Sequence, residues 1–165
     1  MTAALVLAAL RERHAGSGWA FYEELRAGTG FEPWRVSVMR KNGVALEPGQ
    51  VRAQRIDAFA INCWPSRGRV AIAYEVKVSR SDFRCELANP AKRAFAEAVS
   101  SECYFACPLK LIRPDEVPEP WGLVAVIANG KTKILKQAVS RELAPWPHWF
   151  ITSIARRASR AGAGQ

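Results

Sequence analysis

Three side chains in this 165-residue sequence are spaced so that they could share a cation and an anion. Asp57 lies in Arg55-Ile56-Asp57-Ala58-Phe59-Ala60-Ile61. After a gap of 17 residues, positions 58–74, Glu75-Val76-Lys77 sits inside an apolar stretch. Residues 70–78 read as a buried β-strand, because β-branched and aromatic residues dominate and Pro and Gly are absent. Alternation assigns Val70, Ile72, Tyr74, Val76 and Val78 to one face, expected to be core. Ala71, Ala73, Glu75 and Lys77 fall on the other. An acid and a base side by side on a buried strand are costly unless something compensates them. A divalent cation carrying a phosphate would compensate both.

Phosphodiester hydrolysis is the chemistry such a set could perform. It needs a positioned water, relief of charge on the phosphate and help for the leaving oxygen. Carboxylates from neighbouring strands can hold Mg²⁺, which takes oxygen ligands at roughly 2.0–2.1 Å and keeps several waters; Mn²⁺ would substitute. The ion orients water and shields the phosphate, while an adjacent ammonium stabilises developing negative charge. Asp57 and Glu75 are the expected ligands, the Val76 carbonyl a third, and Lys77 the electrostatic helper. The plainer reading is a surface Glu–Lys pair on an edge strand with Asp57 in a turn. Glu-x-Lys alone is common; its apolar strand and the strand upstream give it weight.

The elements that must position these groups can be read from periodicity and turn chemistry. Residues 2–14 read as an amphipathic helix, ended by Gly16-Ser17-Gly18, and residues 19–25 as a second short helix. Residues 31–51 read as loop, with a short strand near 35–39. Strands are expected at 52–63 and 69–78, joined by a hairpin turn at Trp64-Pro65-Ser66-Arg67-Gly68. Ser79-Arg80-Ser81-Asp82 resembles a capping box opening a helix to about residue 87. Asn89-Pro90 is a second helix start, giving a helix over 90–100. A strand at 102–106 is stopped by Pro108. Two more, 122–128 and 133–136, turn at Asn129-Gly130. Pro145-Trp146-Pro147 opens a closing helix at about 149–160. This order packs most naturally as an α/β fold with a central mixed β-sheet flanked by helices. One domain over 1–160 is expected, with 161–165 as a frayed tail.

The net charge of +9 is distributed along the chain. Residues 1–78 carry 11 basic and 7 acidic side chains (+4), and residues 79–165 carry 13 and 8 (+5). The positive charge therefore belongs to the folded body and favours a polyanionic partner, nucleic acid first. Arg80, Arg84, Lys92 and Arg93 follow the Glu-x-Lys strand and could hold phosphates, with a solvated helix face as the alternative. Arg67, at the hairpin tip, could enter a groove. Arg156, Arg157 and Arg160 could lay the closing helix on DNA. No apolar run approaches the roughly 20 residues of a membrane span. The apolar N-terminus lacks a preceding basic residue, so a cytoplasmic protein with no membrane attachment is expected. Cys63, Cys85, Cys103 and Cys107 lack metal-cluster spacing and read as free thiols. His14 and His148 are isolated, and His148 is expected to pack rather than to react.

These residues resemble the PD-(D/E)XK nuclease superfamily. The likeness runs over about residues 19–127, beyond the minimal Asp–Glu–Lys set. Trp64-Pro65-Ser66-Arg67-Gly68, the run from Tyr74 through Glu75-Val76-Lys77-Val78-Ser79-Arg80-Ser81-Asp82 to Phe83, and Asn89-Pro90-Ala91-Lys92 are similar to a small single-domain branch. That branch contains MmcB-like DNA-repair proteins and phage-encoded relatives. Glu24-Leu25-Arg26-Ala27-Gly28-Thr29-Gly30-Phe31 and Pro120-Trp121-Gly122-Leu123 also fit it. The resemblance implies a restriction-endonuclease-like core and Mg²⁺-dependent hydrolysis of DNA in repair, recombination or phage DNA processing. It implies that Asp57, Glu75 and Lys77 are catalytic and that Glu24 adds an acid to the metal shell. Ile56 stands where the superfamily's name would place Pro. A non-cutting nucleic-acid-binding module on the same fold, or an RNase, are the alternatives, and two copies could pair to cut both strands.

Overall fold

The computed structural model describes residues 1–26, 55–64, 66, 68 and 70–162, with residues 160–162 described as backbone. The expectations for 31–51, and for Arg67, lie outside the described residues. Helix α1 is Ala3–Arg13. The Thr2 hydroxyl caps it by accepting from the Leu5 amide, and Arg11 and Arg13 in its last turn oppose the helix dipole. Val6, Ala9 and Leu10 form its buried stripe.

Strands β1 (Trp19–Arg26), β2 (Arg55–Asn62) and β3 (Ala71–Val76) form an antiparallel meander. The helix expected over 19–25 is thus a strand. Its Trp, Phe and Tyr suit a pleated surface, and β2 supplies the backbone partners that a seven-residue helix would lack. The β2–β3 hairpin is as expected, with Gly68 in the left-handed region at φ 73°.

Helix α2 (Arg80–Ala88) starts where the capping signal predicts: the Ser79 hydroxyl accepts from the Asp82 amide. The helix expected over 90–100 is two pieces, a 3₁₀ turn at Pro90–Arg93 and helix α3 at Ala94–Val99, and the Asn89 side chain makes no cap. This crossover returns the chain as β4 (Glu102–Pro108), parallel to β3, with Pro108 as its last residue. Strand β5 (Gly122–Val126) is parallel to β4. Strand β6 (Thr132–Lys136) turns back antiparallel to β5 around Gly130, at φ 79°. Helix α4 (His148–Gly162) is the last described element and takes in residues 161 and 162; His148 is exposed, not packed.

The result is an α/β fold in which a six-stranded mixed sheet, in the order β1-β2-β3-β4-β5-β6, is flanked by helices. Both faces of the sheet are covered. On one, Val6, Ala9 and Leu10 of α1 pack with Ala58, Ala60, Ile72, Tyr74, Val76 and Val124. On the other, α2, α3 and α4 bring Phe83, Phe95 and Phe150 against Phe59, Phe105 and Trp121. The face of β3 that carries Ala71 and Ala73 is therefore core as well, and all six residues of the strand are buried. Those two small side chains lie among the large rings of this layer, so the polar end of the strand emerges from a packed floor. Among the described residues, no helix is long and apolar enough to cross a membrane. Cys63 and Cys85 are exposed free thiols, and Cys103 and Cys107 are buried ones.

Candidate active site

The strand registers place the expected acids in one row. β1 and β2 pair Glu23 with Ala58 and Leu25 with Ile56, so Glu24 falls opposite Asp57. β2 and β3 pair Ala58 with Tyr74, so the next step brings Asp57 level with Glu75. Neighbouring strands are about 4.8 Å apart, and like charges facing each other across a ladder repel. The row is anchored at its centre: Asp57 Oδ2 accepts the Val76 amide at 2.9 Å, and Oδ1 accepts Arg55 Nη2 at 3.2 Å. Arg55 also reaches Glu24, with Nη1 3.1 Å from Oε1. Glu24 itself sits at φ 51°, a left-handed conformation that costs a non-glycine residue about 1–3 kcal/mol.

Lys77 closes the other end of the row. The chain leaves β3 at Val76, and the Lys77 amide still donates to the Ala106 carbonyl at 2.9 Å, fixing the backbone beside β4. Its ammonium is buried, 3.6 Å from Glu75 Oε2, 3.2 Å from Glu86 Oε2 and 3.8 Å from Asp82 Oδ2. Asp82 and Glu86 are one helical turn apart on α2, so both address the same point. Sequence reading assigned Asp82 only to the cap and missed Glu86. The available signal was spacing: Glu86 follows Phe83 by three and Asp82 by four in a helix that opens three residues after Lys77. Glu86 is buried, and among the described residues its Oε1 has no hydrogen-bond partner.

Charge states follow from this environment. Burial pushes the Glu75 carboxyl up to about 8, and the charges of Asp57 and Glu86 push the same way against the pull of Lys77. Burial pulls the Lys77 ammonium down, but Glu75, Glu86 and Asp82 together outweigh it, and its pKa lies above that of an ordinary lysine. At neutral pH Lys77 is therefore a fixed positive charge and cannot serve as a general base. Glu75 holds a proton for want of a stronger cation.

The donors fit a hard divalent ion in kind: carboxylate oxygens level with one another on three adjacent strands, one of them driven toward neutrality by burial first and by the charge of Asp57 second. They are not drawn together around a common point. Among the described residues, no group of three or more His, Cys, Asp and Glu side chains is gathered closely enough to hold a metal. At one end of the row the Arg55 guanidinium pairs with both Glu24 and Asp57.

Of the side chains expected to grip a polyanion, Lys92 is exposed, and Arg84 is exposed on α2. Arg80 is committed within the fold. Its two terminal nitrogens grip Glu116 at 2.5 and 2.6 Å, and one also donates to the Leu111 carbonyl. That fork, helped by the Arg113 amide, holds the Glu116 carboxyl down at about 2. Arg93 does not reach solvent as expected. It is 7% exposed, donates to the Glu86 carbonyl at 2.7 Å and lies over the Trp121 ring, so it locks the end of α2 to the core. Arg156 and Arg157 are exposed on α4, and Arg157 donates to the Glu23 carbonyl, beside the Glu24 end of the row.

No family model and no curated protein matches the chain. Among solved structures, the chain is similar to a protein of unknown function from Silicibacter pomeroyi, with a TM-score of 0.62 at 20% identity, over 99% of this chain and 88% of that one. At that identity the likeness speaks to the fold alone.

Proposed function

We propose that the protein is a metal-dependent nuclease that hydrolyses DNA phosphodiester bonds, built on a restriction-endonuclease-like core of the PD-(D/E)XK kind. The observation that carries this reading is the row Glu24–Asp57–Glu75 across three neighbouring strands, terminated by a buried ammonium. Asp57 and Glu75, with Glu24 and the Val76 carbonyl, would hold Mg²⁺ or Mn²⁺. When bound, the ion supplies charge relief on the phosphate and a more acidic water. The chain's own residues do the rest. Lys77, kept charged by its carboxylates, is the positive group beside the reacting phosphate. Glu86 and Asp82 hold it there; they are positioning residues. The Val76 amide fixes the Asp57 carboxylate against β3. Exposed arginines and lysines, Arg84, Lys92 and Arg156 among them, would take flanking phosphates.

A non-cutting nucleic-acid-binding module is favoured by one observation: the guanidinium of Arg55 already neutralises two of the three acids. Incubation of purified protein with plasmid and branched DNA, and with RNA in parallel, under Mg²⁺ and Mn²⁺ separates the readings. Cleavage of DNA that falls by at least a hundredfold in Asp57→Ala and in Lys77→Ala is expected. DNA binding without cleavage under either ion would leave the module, and cleavage of RNA alone would move the substrate.

A further inference from the structure

At the end of the sheet away from the acidic row lies a cavity of about 760 Å³, between the Asn62 end of β2 and the segment leading into α4. Asp57 and Asn62 are five residues apart on β2, so the two places are separated by roughly 17 Å. The volume falls in the range of roughly 300–1,000 Å³ typical of ligand sites. Leu143, Trp146 and Ile151 make the walls largely apolar, while Arg141 and Glu142 add a donor and an acceptor. Both indoles that line it, those of Trp64 and Trp146, are fixed. Trp146 Nε1 donates to the Val99 carbonyl at 2.9 Å, and its ring packs on Phe59 and Phe150. Trp64 is 53% exposed, yet its Nε1 donates to the Ser17 carbonyl at 3.3 Å and its amide to Asn62 Oδ1 at 3.0 Å. Its ring lies across Gly18, where a Cβ would overlap it. An indole that is half bare and already immobilised binds without the ordering cost of a loose side chain.

We infer that this cavity takes the base of an unpaired nucleotide in a nucleic-acid strand, with Trp64 as its stacking platform. This rests on the nucleic-acid side of the reading above and specifies the form of the polymer. A nucleobase has two apolar faces and an edge that both donates and accepts, which matches walls of indole and aliphatic carbon carrying one donor and one acceptor. Every base offers such a face, so stacking here tolerates any sequence. Arg141 has capacity left for the edge. Its Nη2 makes two long contacts, 3.4 Å to the Ser100 carbonyl and 3.4 Å to Cys103 Sγ. Among the described residues its Nε has no hydrogen-bond partner and no carboxylate pairs with it. Arg156 favours a strand over a free nucleotide. It is exposed on α4, about 8 Å along the helix axis from Ile151, where the phosphate next to a bound base would need a cation. A duplex keeps its base faces in the stack, so the cavity selects single-stranded segments.

The test is fluorescence anisotropy of a labelled oligothymidylate strand, and of a labelled duplex of the same length, with wild type, Trp64→Ala and Trp64→Phe. EDTA is present throughout, so no metal takes part. Trp64→Ala should bind the single strand about tenfold more weakly than wild type and the duplex equally well, with an unchanged circular dichroism spectrum. Trp64→Phe, which keeps a ring, should recover most of the loss. A folded Trp64→Ala that binds the strand as wild type does would overturn the inference, as would equal losses on strand and duplex. Thymidine monophosphate binding to wild type as tightly as the strand does would also overturn it, because the occupant would then be a free nucleotide. The outcomes separate from those of the cleavage assay. Trp64-dependent strand binding by a protein that cuts no DNA under Mg²⁺ or Mn²⁺ leaves the cavity standing and removes the nuclease reading. Cleavage by wild type with strand binding unchanged in Trp64→Ala does the opposite.

Discussion

Glu75 carries a proton at neutral pH because it is buried beside Asp57, and this has a measurable consequence for stability. Its carboxyl titrates near 8 in the native chain and near 4.5 when unfolded. Below pH 4.5 both states are protonated and nothing is gained or lost. Between 4.5 and 8 the native state holds a proton that the unfolded state has released, so stability falls as pH rises and levels off above 8. Glutamine keeps the shape and never ionises. Glu75→Gln should therefore match wild type near pH 4 and exceed it by on the order of 2–4 kcal/mol near pH 8, by urea unfolding without metal. A stability difference that does not change with pH would show that Glu75 is not the strained acid described here. The same variant should lose the stabilisation that Mn²⁺ gives the wild type. At this scale the sequence was most legible: Asp57, Glu75 and Lys77 were visible because charges inside an apolar strand are anomalous. Glu86 looked like an ordinary helix-surface acid, and the part Arg55 plays depends on which residue faces which across a ladder, something no local pattern encodes.

The elements were legible where local chemistry decides them. The β2–β3 and β5–β6 hairpins and the start of α2 follow from turn glycines, alternation and a serine cap. β1 was not, because Trp19-Ala20-Phe21-Tyr22 satisfies helical and strand spacing equally, and a partner more than 30 residues away in sequence settles it. The 3₁₀ turn before α3 escaped for a similar reason, as Arg93 is pulled inward to the Glu86 carbonyl and Trp121. Close approaches between elements are equally invisible in one dimension. Gly122 pairs with Tyr104 in the parallel β4–β5 ladder, and a Cβ there would stand 2.4 Å from the Tyr104 ring and 2.6 Å from the Ala138 amide nitrogen. The ring could tilt away, but the backbone of residue 138 would have to move, and Tyr104 is held by bonds to Glu102 and Gln137. Gly122→Ala should cost about 1–3 kcal/mol, lowering the melting temperature by several degrees in thermal unfolding followed by circular dichroism. An unchanged melting curve would mean that β5 and the segment after β6 sit further apart than described.

At the scale of the whole molecule, the charge of +9 is the quantity that selects a partner, and the fold decides how much of it is free to do so. Arg80 is clamped by Glu116, and Arg93 is enclosed behind α2, so neither can release counterions from a polyanion. Arg84, Lys92, Arg156 and Arg157 remain exposed. If about four such groups neutralise phosphates, the logarithm of affinity for a short duplex should fall against the logarithm of salt with a slope of about −3.6, because each contact contributes roughly −0.9. Between 50 and 200 mM NaCl, affinity should drop about a hundredfold, read by fluorescence anisotropy of a labelled duplex. Lys92→Ala should make the slope shallower by about one contact and leave the fold alone. Arg93→Ala should do the reverse, destabilising the protein while leaving the slope of its folded fraction unchanged. A salt-independent interaction, or an Arg93→Ala variant that folds normally and loses a contact, would mean that the basic character of this surface serves something other than a nucleic-acid backbone.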